Sequence, residues 1–425
     1  MIEINPVEHI DAVVEVPGSK SLTQRALIAA ALAEGTSAII GPLASEDTHY
    51  TISALRSMGI AVDDRDPARW LVKGGAGSIS PPNNDIFLGN NGTATRFLTS
   101  VAALGKGVFH ITGDSRMSER PIGPLMDALK GWGVDIVSDT DNSCPPLTIK
   151  GNGIPGGRTI LPEGKSSQYL SSLLLVAPYG AQGAELEVLG EILSRPYVEM
   201  TLAVMADFGI RVEATPSLNF FRIPKGKYSG REYQVEGDAS GASYFWTAAA
   251  ISGGKVTVAN VPVPSLQGDA GLVALLARMG CEVFQHENGI SLSGPRRLQA
   301  IEADMGNMPD VAPTLAIAAA FAEGTTVIKN IAHLRIKECD RLHVMVTELR
   351  KMGVDVEEEA DRMIIHGKGG VDLQGAEIET NSDHRIAMCF AVAGLRAKGV
   401  KILGPECVAK SFPDFWERFA LLGKS

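Results

Sequence analysis

"DIFLGNNGTATRF", residues 85–97, runs from a short apolar stretch through a glycine- and asparagine-rich turn into Thr and Arg, where a helix should begin. Turns of the same kind occur at "PGSKS" from residue 17, "EGKSS" from 163, "EGDAS" from 236, "GNMPD" from 306 and "TNSDH" from 380. Together with "GNNGT" from 89 they begin 72, 74, 73, 70 and 74 residues apart. Regular spacing on this scale marks an internal repeat.

Two further registers share the period. One is a Gly before a β-branched run, as in "AEGTSAII", "GKGVFHI", "AQGAELEV", "SGGKVTV", "AEGTTVI" and "AKGVKI". The other is a helix end closing on glycine, in "LRSMGIAV", "LKGWGVDIV", "VMADFGIRV", "LLARMGCEV", "LRKMGVDV" and "FALLG". Such a glycine suits a helix C-terminus that turns into a strand. Each repeat therefore reads turn, helix, strand, helix, strand, strand. The sixth lacks the two final strands, and residues 1–16 are strand-like, so the N-terminal segment is expected to complete it.

Six equal repeats in 425 residues divide as three and three. This places one domain at 17–235 and the other at 1–16 with 236–425, with chain crossings near 16–18 and 235–237. An apolar fraction of 45% and a charged fraction of 21% fit a soluble globular protein. No basic leader with an apolar core and no run of membrane-spanning length is visible, which argues against a membrane partner. Five cysteines without CxxC spacing fit a reducing compartment, and a cytoplasmic location is expected. The eight histidines show no metal-ligand spacing, so neither a metal nor another cofactor is expected. A net charge of −10 disfavours a general nucleic-acid surface. "EEE" at 357–359 reads as a solvated face, and "PGSKS" lacks the spacing of a nucleotide P-loop.

Any anionic ligand must then meet a local concentration of cations. Lys and Arg are mildly disfavoured in the first turn of a helix, which already carries partial positive charge. Here they recur there. Lys20 and Arg25 flank a Ser21-to-Gln24 spacing that suits a capping box. Arg96 follows "GNNGTAT", Arg341 opens "DRLHVMVTELRKMG", His384 and Arg385 open a helix, and Lys410 precedes "SFPDF". Equivalent turns of a repeat should lie at the same end of each domain, so these cations are expected to converge on an anion.

At these residues the sequence resembles the enolpyruvyl transferases. The resemblance covers nearly the whole chain and rests on "PGSKSLTQRA", "LGNNGTATR", "RMSERPIGPLMDAL", "SSQYLSSLL", "SRPYVEMT", "VEGDASGASYF", "LRIKECDRL", "DHRIAM" and "KSFPDF". It implies an α/β fold of two inside-out α/β barrel domains, each of three βαβαββ repeats, with the active site in the interdomain cleft. It also implies transfer of the enolpyruvyl group of phosphoenolpyruvate to the 5-hydroxyl of shikimate 3-phosphate, through a tetrahedral intermediate, toward chorismate and the aromatic amino acids. Both partners are small molecules, and a monomer is expected.

By the same resemblance Lys20, Ser21, Arg25, Ser166, Ser167, Gln168, Ser194 and Tyr197 hold shikimate 3-phosphate, mainly from the first domain. Without it, the Ser166 and Ser167 hydroxyls would read as ordinary helix caps. Lys20, Asn90, Gly92, Thr93, Arg120, Lys337, Arg341, Arg385 and Lys410 bind phosphoenolpyruvate, and His384 joins the substrate-binding set. Glu338 is the implied proton donor and Asp310 the implied base, with Lys337 and Lys20 assisting. Gly92 would let the backbone approach the ligand closely.

His333 stands where members often have Asn, and Phe97 where many have Pro. Members acting on a sugar nucleotide commonly carry a reactive Cys within the loop matching 114–120, here "DSRMSER", which has none. A non-catalytic phosphometabolite sensor would keep the cations yet could dispense with Asp310 and Glu338, and both are present.

Overall fold

Each predicted turn leads into a helix that is apolar nearly all round. The computed structural model describes residues 1–164, 166–287 and 289–423; Lys165 of the third turn lies outside the described residues. The six helices are Lys20–Leu32, Gly92–Leu104, Ser167–Val176, Ala239–Ser252, Ala312–Ala320 and His384–Gly394. Every residue of Ala312–Ala320 and of His384–Gly394 is buried, as is all of Ala239–Ser252 except its last residue. Helices with no polar stripe belong at the centre of a domain.

Each inner helix is followed by a strand and a second helix, beginning with Thr36–Ile40 and Glu46–Ser57. The second helix is amphipathic and closes on a left-handed glycine: Gly59, Gly133, Gly209, Gly280 and Gly353 have φ between 82° and 106°. L-residues with a Cβ are strained in this conformation, which is why glycine recurs at this point of the repeat.

The strands form six separate sheets, and among the described residues none closes on itself. The second repeat shows the pattern. Ile86–Phe87, before the turn, lies parallel to Lys106–Thr112, which follows the inner helix. Lys106–Thr112 pairs antiparallel with Leu147–Asn152, and that strand with Asp135–Ser138. Burial alternates along them, so one face covers the inner helices and the other meets solvent.

The chain forms two compact units, Lys20–Val235 and Met1–Ser19 with Glu236–Ser425. Each has its own apolar core. Within the second unit the two crossing segments run side by side, Gly18 bridging Gly237 and the Ser19 amide donating to the Glu236 carbonyl at 2.8 Å. The N-terminal segment serves two sheets. Ile2–Glu3 does join the sixth repeat, pairing antiparallel with Lys401–Leu403, but Asp11–Val14 lies parallel to Lys255–Val258 of the fourth. The reason is positional: Asp11–Val14 immediately precedes the first turn, and the strand before a turn pairs with the strand after an inner helix.

Gly353 (φ 85°) isolates the backbone requirement, because a Cβ there would meet only the Asp372 carbonyl oxygen, at 3.8 Å. Gly353→Ala should therefore destabilise the protein by about 1–2 kcal/mol, the strain of a left-handed L-residue, without loss of packing. Urea denaturation measures it; a change indistinguishable from zero would show that the turn relaxes.

Candidate active site

In the Lys20–Val235 unit the cations sit where the inner helices start. Lys20 is the first residue of its helix, and its Nζ lies 3.2 Å from Oδ2 of buried Asp47. Asp47 belongs to the helix Glu46–Ser57, whose first turn is closed by a capping box between Ser45 and Thr48. The Asp47 carbonyl also accepts from Gln24 Nε2 at 3.2 Å and from Asn91 Nδ2 at 2.6 Å. The capping box expected at Ser21 and Gln24 is absent: Gln24 spends its amide on the Asp47 carbonyl and on the Thr51 hydroxyl.

Arg25 is almost wholly enclosed. Its guanidinium donates to Thr201 Oγ1 (2.7 Å), the Ser21 carbonyl (2.9 Å), Ser171 Oγ (3.2 Å) and the Tyr197 carbonyl (3.1 Å), beside the rings of Phe97 and Tyr197. Burial lowers its pKa to about 10, so it stays charged at neutral pH. Four of its five N–H donors are thus committed to protein oxygens, and Arg25 fixes the geometry of three helix starts.

The opening motif divides its labour. Asn91 is the N-cap, accepting from the Ala94 amide at 2.9 Å. Asn90 offers its carbonyl and Oδ1 to Arg120 Nη1, at 3.2 and 2.9 Å. A Cβ on Gly92 would fall 2.4 Å from Arg120 Nη2 and 2.7 Å from Arg96 Nη1. The space that glycine leaves is therefore filled by two guanidinium groups. Arg96 bonds the carbonyls of Gly92 (3.1 Å) and Pro121 (3.0 Å), pinning the loop that carries Arg120.

Gln168 Nε2 donates to Thr93 Oγ1 at 3.2 Å, joining the second and third helix starts. Ser166 occupies the N-cap position of Ser167–Val176 but makes no side-chain capping bond, so the capping role open to it on sequence alone is not used. Ser194, N-cap of Arg195–Asp207, likewise makes no capping bond and holds a left-handed backbone (φ 55°, ψ 41°). Such conformations in a residue with a Cβ concentrate at functional positions.

The second unit gathers carboxylates as well as cations. Asp310, in the turn Pro309–Val311, receives Arg385 Nη2 at 2.8 Å, Arg341 Nη1 at 3.3 Å and Lys337 Nζ at 3.6 Å. Arg341 also donates to Glu338 Oε2 at 2.7 Å and, through Nε, to Asp383 Oδ2 at 2.6 Å. Asp383 is completely buried; it caps His384–Gly394, accepting from the Arg385 amide at 2.9 Å. Burial alone would raise the Asp310 pKa, but Arg385, Lys337 and Arg341 outweigh it and hold the carboxyl far below its usual range. His384 lies enclosed beside Asp383, and Lys410 is buried at the end of the turn Pro405–Lys410.

His333 is 8% exposed, and neither ring nitrogen has a hydrogen-bond partner among the described residues. Burial, assisted by the charge of Lys337, pushes its pKa down to about 4, so the imidazole is neutral at physiological pH.

The EPSP synthase (3-phosphoshikimate 1-carboxyvinyltransferase) family matches residues 4–419. The chain belongs to the EPSP synthase family. The 3-phosphoshikimate 1-carboxyvinyltransferase of Trichormus variabilis is 43% identical to it over 412 residues, 96% of each chain. That of Shewanella denitrificans is 41% identical over 424 residues, 99% of this chain and 98% of its own. A solved EPSP synthase from Acinetobacter baumannii aligns with a TM-score of 0.83 at 31% identity, covering 99% of this chain and 97% of its own.

For this EPSP synthase family member the structure brings Lys337, Glu338, Arg341, Arg385 and Asp310 into one cluster. In the other unit it links Lys20 to Asn91 through Asp47, Asn90 to Arg120, and Thr93 to Gln168. Asp47 and Asp383 were missed in the sequence because an isolated Asp near a helix start reads as a cap. Their pairing with Lys20 and Arg341 is a tertiary fact.

The depressed His333 pKa fixes a pH dependence. Between about 4 and the unfolded value near 6.5 the unfolded chain takes a proton that the folded chain refuses. The stability associated with neutral His333 is complete above 6.5 and is lost as pH falls toward 4. Denaturation of wild type and His333→Gln across this window should show the wild type losing stability faster on acidification, by up to about 1.4 kcal/mol per pH unit. Parallel curves would mean that the ring protonates in place.

Proposed function

We propose that this chain transfers the enolpyruvyl group of phosphoenolpyruvate to the 5-hydroxyl of shikimate 3-phosphate, releasing phosphate. The observation that carries the reading is Asp310 and Glu338 set within the Lys337–Arg341–Arg385 cluster. The reaction adds a proton to the phosphoenolpyruvate methylene and removes one from the attacking hydroxyl, so it needs an acid and a base among anion-binding cations. Loss of a methyl proton and of phosphate from the tetrahedral intermediate completes the transfer.

In this reading Lys20, Ser21, Ser166, Ser167, Gln168, Ser194 and Tyr197 receive shikimate 3-phosphate, with Arg25 holding their helix starts in register. The unused capping position of Ser166 supports a hydroxyl directed to phosphate. Lys20, Asn90, Gly92, Thr93, Arg120, Lys337, Arg341, Arg385 and Lys410 receive phosphoenolpyruvate, and His384 backs the Arg385 turn.

Asp310 ionises readily but is a weak base while three cations hold it. Ligand oxygens that draw Arg385 and Lys337 away make its carboxylate more basic at the moment a hydroxyl proton must leave. Glu338 supplies the proton to carbon. We further propose that the two units are domains whose ligand sets act on one substrate pair after closure, in a cytoplasmic monomer.

Phosphate release should require both phosphoenolpyruvate and shikimate 3-phosphate, and omission of either should abolish it. Glu338→Gln should lower kcat at least 100-fold, with substrate binding changed far less. Release without shikimate 3-phosphate, or full turnover by the variant, would overturn the assignment.

Closure predicts a smaller radius of gyration by small-angle scattering when shikimate 3-phosphate saturates the protein than without ligand. An unchanged radius at independently verified saturation would favour a preformed site.

A further inference from the structure

Buried polar side chains join the three inner helices of the second unit. Ser243 Oγ lies 3.1 Å from Thr314 Oγ1, which lies 3.7 Å from Cys389 Sγ, so Ala239–Ser252, Ala312–Ala320 and His384–Gly394 meet at these residues. Tyr244 follows Ser243 on the first of the three helices. It is 1% exposed, and its ring packs edge-on against that of Phe415, centroids 5.9 Å apart, in the segment that follows Lys410. Cys389 stands one helical turn beyond Arg385 and on the same face of its helix. The Tyr244 hydroxyl lies beside that face: Arg385 is foremost among the titratable groups acting on it, followed by Cys389 and Arg341.

This hydroxyl is anomalous. Arg385 stands within its reach, yet among the described residues the hydroxyl makes no hydrogen bond of normal geometry. A buried hydroxyl that goes unused costs free energy, so its presence needs a reason. Packing supplies none, since a Phe ring would occupy the same space without the oxygen. Burial raises the phenol pKa, and although Arg385 opposes the rise the group stays neutral at physiological pH. A neutral oxygen orients a guanidinium without cancelling its charge. In this structure Arg385 gives Nη2 to the Asp310 carboxylate at 2.8 Å. A ligand anion that draws the guanidinium from Asp310 removes a contact that fixes its direction. The Tyr244 oxygen, carried on a ring braced by Phe415, is an acceptor already in place.

We propose that Tyr244 is a positioning residue: its hydroxyl accepts a hydrogen bond from Arg385 when a ligand anion engages that guanidinium, and so aims Arg385 at the anion. The inference rests on the proposed function for its ligand, phosphoenolpyruvate.

Tyr244→Phe in the full-length protein keeps the ring and its contact with Phe415 and removes only the oxygen. In urea denaturation without ligand the variant should be as stable as wild type or more stable, because no formed bond is lost. In steady-state assays its KM for phosphoenolpyruvate should rise about five- to twentyfold, the effect of losing one hydrogen bond to a charged group. KM for shikimate 3-phosphate and kcat should change by less than about twofold, since the interaction serves binding of one substrate. An unchanged KM for phosphoenolpyruvate would overturn the proposal. A ligand-free variant less stable than wild type, or equal rises in both KM values, would also overturn it, because either marks a structural role. Absence of phosphate release by the wild type would defeat the functional reading, whereas normal release by the wild type with superimposable kinetics of the variant would defeat this inference alone.

Discussion

A helix buried on every side can present polar side chains only at its ends, and this constraint organises both units. Ala312–Ala320 and His384–Gly394 have no exposed residue, and Gly92–Leu104 has almost none. Their chemistry is confined to the first turn and the loop before it. There the helix dipole is positive, which favours an anionic ligand but opposes the cations needed to bind one. Each buried cation must therefore be stabilised by a specific oxygen.

Lys20 of the first unit pairs with the Asp47 carboxylate, but the two units hold their arginines differently. In the first, Arg25 and Arg120 are held by neutral acceptors: the hydroxyls of Thr201 and Ser171, the carbonyls of Ser21, Tyr197 and Asn90, and the Asn90 amide oxygen. Neutral acceptors orient a guanidinium without cancelling its charge, which suits recognition of phosphate. In the second, Arg341 is held by three carboxylates, those of Asp310, Glu338 and Asp383. Deleting one partner of such a buried pair typically costs about 3–5 kcal/mol, since the other charge is left stranded. In the proposed reaction a ligand anion entering this cluster would exchange with a carboxylate rather than neutralise a bare cation. That exchange would give Asp310 a basicity that depends on occupancy.

The repeat, the helices and their glycine ends were legible in the sequence because each depends on local pattern: apolar periodicity, turn residues and a left-handed C-terminal position. Arg341 and Arg385 were legible as cations in unfavourable places, and Lys337 only through the resemblance. What pairs with them was not, since Asp47 lies 27 residues beyond Lys20 and Asp383 lies 42 residues beyond Arg341. Gly92 was legible as a site of close approach, but the neighbours that exclude its Cβ are Arg120 and Arg96 of the protein itself. The N-terminal segment was read as serving one repeat, whereas a hydrogen-bonded strand can be claimed by any sheet edge within reach, and two edges claim it.

Sixfold repetition supplies positions and leaves the chemistry to the residues that fill them. "GNNGT" packs an asparagine cap and a glycine against two guanidinium groups. "EGDAS" puts Asp238 at a cap and Ser240 against Asp269, while "GNMPD" places Asp310 beneath three cations. Each of turns four to six therefore carries an Asp, whereas turns one to three carry none. The same substitution of turn residues that introduces acid–base groups also ties the second unit to pH, because carboxylates such as Asp310 contribute to stability only while they are ionised beside their cations.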